Sequence, residues 1–396
     1  MRRLRRIVAV GVAVGAVGLL APAGVGGPAI GGADECPPIA LAFVGALSGS
    51  NASSGEPLLL STRIALAEHN ADKNRCPVGL VTLDTRGDPA VALARIAEVT
   101  EDPQVIGVIG PVYSGETLAV LPLLAKADLP MVTPSATNPD LSKKPRRVFH
   151  RIVGTDALLA GAVASWMTGE YAVKRVAVID DGTLYGKKVA DLVNAQLTKD
   201  GVTVAERSAI DPASTDHSVT VRKIAGANVD AVFFGGLSDA GVPFERQVSE
   251  AGINVPFAVG DGMLDGKFLA SVASGSQNPK IAIGCACVVV AVSPPQERFS
   301  SRYVDRYGVL PTYFSFEAYD ATRLLLEGID DGATTRAELN DWLDDVQYQG
   351  VSQQIAFDRR GEAKAPVFTI FGISGDQYRP VGRVVGGKVE RITPTK

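Results

Sequence analysis

Four side chains, Ser114, Ser135, Thr137 and Asp261, stand where a folded chain could use them to hold a small charged molecule. An apolar run from Val105 to Ile109 breaks at Gly110-Pro111, and Ser114 opens a helical pattern. A second short run, Met131 to Thr133, leads into Ser135-Ala136-Thr137-Asn138-Pro139. Loops leaving the carboxyl ends of neighbouring parallel strands open onto one crevice, and free N–H groups at a helix start favour an anion there. Hydroxyls and backbone donors without a fixed positive side chain suit a compact carboxylate, whereas a polyphosphate calls for a Gly-rich cradle and a Lys. Taken singly, these residues are also ordinary helix caps and turn formers. Their recurrence after consecutive strands is what argues for a carboxylate seat at Ser114 and Thr137.

Two further segments reach toward the same crevice. Asp180-Asp181-Gly182-Thr183-Leu184-Tyr185-Gly186 lies between a strand and a helix, and Gly260-Asp261-Gly262 follows the strand Phe257 to Val259. Tyr185 and Asp261 are expected to overhang the crevice opposite Ser114, and an acid facing a carboxylate seat suggests a zwitterion. The bland readings are a plain Asp-Gly turn and a hydrophobic contact at a helix start. No Gly-x-Ser-x-Gly and no Gly-x-x-x-x-Gly-Lys-Ser/Thr occurs, and the three histidines, His69, His150 and His217, lack metal-ligand spacing. No catalytic residue, metal or cofactor is expected.

The elements that position these residues alternate in type. Ile39 to Val44, a loop Gly45 to Gly55, a helix Pro57 to Ala71, a strand Val78 to Asp84 and a helix Pro89 to Thr100 precede the Val105 segment. A second series runs from a helix at Ala157 through strands at Val176, Val202, Ala231 and Phe257 to a helix ending at Val272. Continuous apolar strands alternating with helices predict an α/β fold of two doubly wound parallel-sheet lobes. After an apolar strand Ile281 to Val292 come helices Gln296 to Tyr307, Tyr313 to Gly328 and Thr335 to Val346, which cannot build a core alone. They fit if the chain crosses back near Val288 to complete the first lobe and again near Val351, so that Val367 to Ile373 pairs in the second. The expected lobes are 37–152 plus 288–350 and 153–287 plus 351–396, joined by a three-crossing hinge.

The first residues, Met1-Arg-Arg-Leu-Arg-Arg6, an apolar run Ile7 to Leu20 and Ala21-Pro22-Ala23, read as a secretory signal peptide over 1–23, followed by a flexible segment 24–36. Fourteen apolar residues fall short of the roughly 20 that span a bilayer. The residues before Cys36, Ala33-Asp34-Glu35, are too acidic for a lipid-attachment signal. Loss of the four leader arginines takes the formal net charge from −4 to −8, with no basic cluster for nucleic acid. An exported chain permits disulfides, and Cys36 and Cys76 each precede a Pro that opens a predicted strand. A bridge closing that loop of about 40 residues contributes roughly 4 kcal/mol in the chain-entropy picture. Cys285 and Cys287, two apart on one face of a strand, read as packed small hydrophobes rather than a metal pair.

Phe43-Val-Gly-Ala-Leu-Ser-Gly49, Val108-Ile-Gly-Pro-Val-Tyr-Ser114, Pro134-Ser-Ala-Thr-Asn-Pro139, Tyr185-Gly186 and Phe233-Phe-Gly-Gly236 resemble the type I periplasmic binding protein family, in its leucine/isoleucine/valine-binding branch. The resemblance spans essentially the whole chain after the leader. It implies that Ser114 and Thr137, with the backbone of Ser135 or Ala136, hold a ligand carboxylate, that Asp261 takes an α-ammonium group, and that Tyr185 is the second-lobe tyrosine. It also implies a monomeric, exported carrier that closes two lobes over an amino acid and hands it to an ABC transporter permease. A ligand sensor acting on a membrane partner, or an enzyme on the same fold, are the competing readings. Two departures bear on the side-chain wall: Ser53-Ser54 stands where the branch has a bulky aromatic, and Leu237-Ser238 where it has an aromatic pair. A roomier or more polar pocket is implied, with Ser54 and Leu237 on its wall.

Overall fold

A computed structural model describes residues 36–143, 147–275, 280–288, 293–385 and 388–392. The signal peptide expected over 1–23, all of the 24–36 segment except Cys36, and the 289–292 end of the expected Ile281 strand lie outside them.

The first sheet grows from β1 (Ile39–Gly45), whose seven residues are all buried. A strand buried on both faces carries no polar alternation, which is why the run is continuously apolar. Around it come α1 (Ala52–Asn70), β2 (Val78–Asp84), α2 (Pro89–Arg95), α3 (Ala97–Thr100), β3 (Val105–Ile109), α4 (Ser114–Lys126), β4 (Met131–Thr133) and β5 (Phe149–Arg151). The five strands are parallel in the order β2-β1-β3-β4-β5.

The second sheet follows from α5 (Asp156–Glu170), β6 (Arg175–Asp180), α6 (Leu184–Lys199), β7 (Thr203–Ala209), α7 (Ser218–Gly226), β8 (Ala231–Gly235), α8 (Ser238–Glu250), β9 (Phe257–Val259), α9 (Gly266–Ala273) and β10 (Ile281–Cys285). Then come α10 (Pro294–Tyr307), α11 (Ser315–Asp330), α12 (Arg336–Asp345), the short pair β11 (Tyr348–Gln349) and β12 (Gln354–Ile355), and β13 (Thr369–Ser374), β14 (Gln377–Val385) and β15 (Lys388–Arg391). The order is β15-β14-β13-β10-β9-β8-β6-β7. Strands from β7 to β10 are parallel, while β13, β14 and β15 run antiparallel at one edge. The expected parallel-sheet lobe is present, and the antiparallel strands extend it at that edge, where a hairpin needs only a tight turn between β13 and β14.

Helix α11 packs on α1 and β3, and most of its residues are buried. Its two buried acids receive backbone amides from chain segments that pass between the sheets. Val288 N–H donates to Glu317 Oε1 at 2.7 Å. Val351 and Ser352 N–H donate to Asp320, each at 2.7 Å. Burial pushes Glu317 up to about 8 and Asp320 up to about 6, and the amide donors hold both down.

Local differences from the expected elements have local causes. The loop read through Gly55 is already the first turn of α1, entered at Ala52. A Cβ on Gly55 would sit 2.0 Å from the Ala46 carbonyl oxygen, so close backbone approach, invisible to propensity, fixes the start. β5 is not among the expected elements; its Arg151 is fully buried and paired with Glu362. The packed-hydrophobe reading of Cys285 and Cys287 is corrected too: they form a disulfide, their Cα atoms 5.2 Å apart where the chain bends after β10. Same-face side chains at that separation are within bridging reach. Cys36 and Cys76 are each disulfide-bonded.

Gly110, at the exit of β3, has φ +106°, and a Cβ there would lie 2.3 Å from the Val44 carbonyl oxygen. Gly110→Ala should lower unfolding stability by about 1–3 kcal/mol or more, read as a fall in the urea midpoint at unchanged slope.

Candidate functional site

Ser114 is the first residue of α4, and its Oγ accepts the Asn138 N–H at 3.2 Å. The loop before it is tied down by Glu116, which accepts the Tyr113 N–H at 3.1 Å and the Thr85 hydroxyl. Burial pushes Glu116 up to about 7, so the protein holds it by hydrogen bonds rather than by a counter-charge. The turn after β4 is stitched to the same loop. Thr133 Oγ1 donates to the Pro111 carbonyl at 2.8 Å, and Ser135 Oγ donates to the Val112 carbonyl at 2.7 Å. Arg151 completes the clamp by donating from Nη1 to the carbonyls of Ala136 and Asn138, each at 2.9 Å. Thr137 lies between those two carbonyls.

Tyr185, in the first turn of α6, donates its hydroxyl to Asp261 Oδ1 at 2.7 Å and accepts the Gly262 N–H at 3.1 Å. The flanking glycines make this approach possible: a Cβ on Gly260 would fall 2.4 Å from the Tyr185 hydroxyl. Leu237, preceding α8, is fixed by its N–H, which donates to Asp181 Oδ2 at 2.8 Å. A third contribution comes from Tyr313 and Phe314, just before α11, with the Tyr313 hydroxyl donating to Ser54 Oγ at 2.5 Å.

One cavity, with about 380 Å³ of unfilled space partly open to solvent, is lined by Ser54, Ser114, Ser135, Thr137, Tyr185, Leu237 and Asp261. Ala136 is not among the lining residues, and its N–H is spent on Thr133 Oγ1 at 3.0 Å. Val112, Tyr113, Gly262, Tyr313 and Phe314 line the cavity as well and were not expected from the sequence. The aromatic pair Tyr313-Phe314 stands at a helix entry and reads, in sequence, as core.

The charge balance of the cavity is one-sided. Asp261 is buried, and its Oδ2 has no hydrogen-bond partner. Burial pushes its carboxyl up to about 7, against the lowering effect of the Tyr185 hydroxyl and of the Ala286, Asp261 and Gly262 amides. Asp156, the first residue of α5, is also fully buried with both carboxyl oxygens lacking a well-placed partner. Burial raises it, and the charge of Asp261 raises it further. Asp156 N–H donates to the Thr137 carbonyl at 2.9 Å, which brings this acid to the seat. In the sequence it stands one residue before the helix expected from Ala157, a common and uninformative place for an acid. Buried carboxylates without partners are rare and call for an explanation. A cation arriving in the cavity would supply one.

Residues 38–374 match the family described as "Periplasmic binding protein". The chain is 29% identical over 294 residues to the Leu/Ile/Val-binding protein BraC3 of Rhizobium johnstonii, covering 74% of this chain and 79% of that protein. It is similar in fold to the branched-chain amino acid transporter substrate-binding protein LivJ of Streptococcus pneumoniae in complex with isoleucine, with TM-score 0.78, 21% identity and coverage of 90% and 99% of the two chains. A solute-binding protein from R. palustris in complex with benzoate superposes with TM-score 0.77, 16% identity and coverage of 87% and 96%.

Arg151 offers a test of how the seat is held. Its guanidinium joins Glu362 to the turn carbonyls on either side of Thr137. Arg151→Met leaves Glu362 and both carbonyls without their donor, and should cost about 3–5 kcal/mol in urea unfolding. A loss below about 1 kcal/mol would mean that the turn is held by other contacts.

Proposed function

The chain belongs to the periplasmic binding protein family, a family of non-enzymatic solute binders outside the cytoplasm, and on that premise we propose that it captures an α-amino acid for an ABC importer. The observation that carries this reading is the buried, unpartnered Asp261 Oδ2 in the same cavity as Ser114 and Thr137. A ligand ammonium would meet Asp261, whose charge also acts on the buried Asp156. The ligand carboxylate would meet the Ser114 and Thr137 hydroxyls at the entrance to α4, where the helix end favours negative charge. Tyr185, Leu237, Ser54 and Ser135 would enclose the remainder. The names of the relatives agree with this class: one is called Leu/Ile/Val-binding, and another holds isoleucine. The benzoate complex shows that the fold also serves ligands without an ammonium. Such a ligand would leave Asp261 without a counter-charge here, which is why an amino acid fits better.

Release to a membrane permease then requires only that the two sheets part about the three chain passages. No bond is made or broken. Export and monomeric action complete the proposal, as does pairing of Cys36 with Cys76, which intact mass with and without reductant would test.

A thermal-shift screen against the amino acids and small carboxylates identifies the ligand. At 100 times its dissociation constant a true ligand should stabilise the protein by about 2.7 kcal/mol. Asp261→Ala and Thr137→Ala should each abolish that shift while the unliganded protein stays folded; retained binding in both would place the ligand elsewhere.

Affinity should also depend on pH in one direction. Without ligand, Asp261 holds its proton below about 7. An ammonium beside it favours the ionised form, so binding below that pH must expel a proton. Affinity should therefore be full above about pH 7 and fall by up to about tenfold per unit as pH drops. Calorimetry in buffers of different ionisation enthalpy would register the released proton, and a flat profile between pH 5 and 8 would contradict the ammonium–Asp261 pairing.

A further inference from the structure

The cavity carries an aromatic wall, Tyr113, Tyr313 and Phe314, but this wall is not apolar. Tyr313 donates its hydroxyl to Ser54 Oγ at 2.5 Å. Ser54 is hydrogen-bonded in turn to the Tyr113 hydroxyl. Tyr113 OH points on to the Asn51 carbonyl at 3.4 Å. The three hydroxyls form a chain, Tyr313–Ser54–Tyr113, that ends at the Asn51 carbonyl. All three residues line the cavity.

A hydroxyl has one proton to give and can accept more than one. Each oxygen of the chain keeps capacity beyond its bond within the chain, and each hydroxyl can turn its proton to suit a partner. Facing the ligand, this wall therefore offers polar groups that can accept or donate. An aliphatic side chain would cover those oxygens without using them. A side chain ending in a neutral hydroxyl or carboxamide would be matched. The acids near these tyrosines are already held, Asp265 by the Phe268 N–H at 3.0 Å and Asp239 by Lys267 Nζ at 2.6 Å, so this wall does not call for a second cation.

We infer that the chain Tyr313–Ser54–Tyr113 selects an amino acid whose side chain carries a hydroxyl or carboxamide, in preference to the aliphatic side chain of the same shape. This deepens the proposed amino acid capture and rests on it. Tyr313 and Ser54 are then specificity-determining residues. The substitution of Ser54 for a bulky aromatic becomes part of the specificity, since a serine at this point is what bridges the two tyrosines.

Isosteric pairs provide the test. Dissociation constants for threonine against valine and for asparagine against leucine are measured by calorimetry on the intact protein. One net neutral hydrogen bond corresponds to about a fivefold preference, so threonine and asparagine should each bind about fivefold or more tightly than their partners. Tyr313→Phe and Ser54→Ala remove an oxygen from the wall without removing a ring from it, and should collapse both ratios to about one. Both variants keep Asp261 and Thr137, and unliganded thermal unfolding checks that they fold. Valine and leucine binding as well as or better than their polar isosteres, ratios unchanged in both variants, or lysine or arginine binding more tightly than threonine would each overturn the inference while leaving amino acid capture intact. Binding of no amino acid at all would instead remove the capture reading on which the inference is built.

Discussion

Everything in the cavity is arranged around a carboxyl group that has been taken out of water and left without a positive partner. Asp261 receives the Tyr185 hydroxyl on one oxygen, while the other faces the cavity unpaired. Burying an ionised carboxylate is expensive, so an isolated one holds a proton until a counter-charge arrives. Asp156 is buried too: desolvation and the charge of Asp261 raise it, while the Thr137 hydroxyl and the charges of Arg151 and Lys188 lower it. An acid kept ready to ionise in this way is of no use to a core, where an apolar residue would pack as well. It becomes useful when the cation is a visitor.

The opposite seat depends on rigidity rather than charge. Its hydroxyls and amides sit on two turns that would wander if held only by their own sequence. Thr133 and Ser135 sew one turn to the other, Glu116 pins the entrance of α4, and Arg151 grips two carbonyls from beneath. Thr133, Glu116 and Arg151 are not among the residues that line the cavity. They fix where Ser114 and Thr137 stand, which is the condition for hydrogen bonds to favour one small anion over water.

Between the sheets, α11 holds two of the passing segments by their backbone. Glu317 takes the amide of Val288, and Asp320 takes those of Val351 and Ser352. Gln353 reaches across to the Ile152 carbonyl and accepts the Val367 amide at 2.7 Å. Backbone groups that pass between two cores need partners wherever water is excluded, and buried acids supply them. Helix α11 is thus both a wall of the first core and the anchor of the connections, and the residues just before it, Tyr313 and Phe314, turn into the cavity.

Much of this could be read before any coordinates. Continuous apolar runs alternating with helical patterns determine the layered α/β architecture, because a strand covered on both faces has no place for polar alternation. Ser114, Thr137, Tyr185 and Asp261 stand out because each follows a strand end, where side chains of separate segments converge. What the sequence could not disclose is whatever depends on pairing across long separations. The buried Arg151 needs Glu362, more than two hundred residues away, before a charge in β5 makes sense. Ser54 looked like part of a loop until Tyr313, 259 positions on, was found bonded to it. Asp156 looked like any helix-starting acid, and Cys285 with Cys287 like packing, because burial and bridging are properties of surroundings. Residue type and local spacing determine the elements and their exits; desolvation and distant contacts, which only the folded chain creates, decide which side chains are charged, paired or free to meet a ligand.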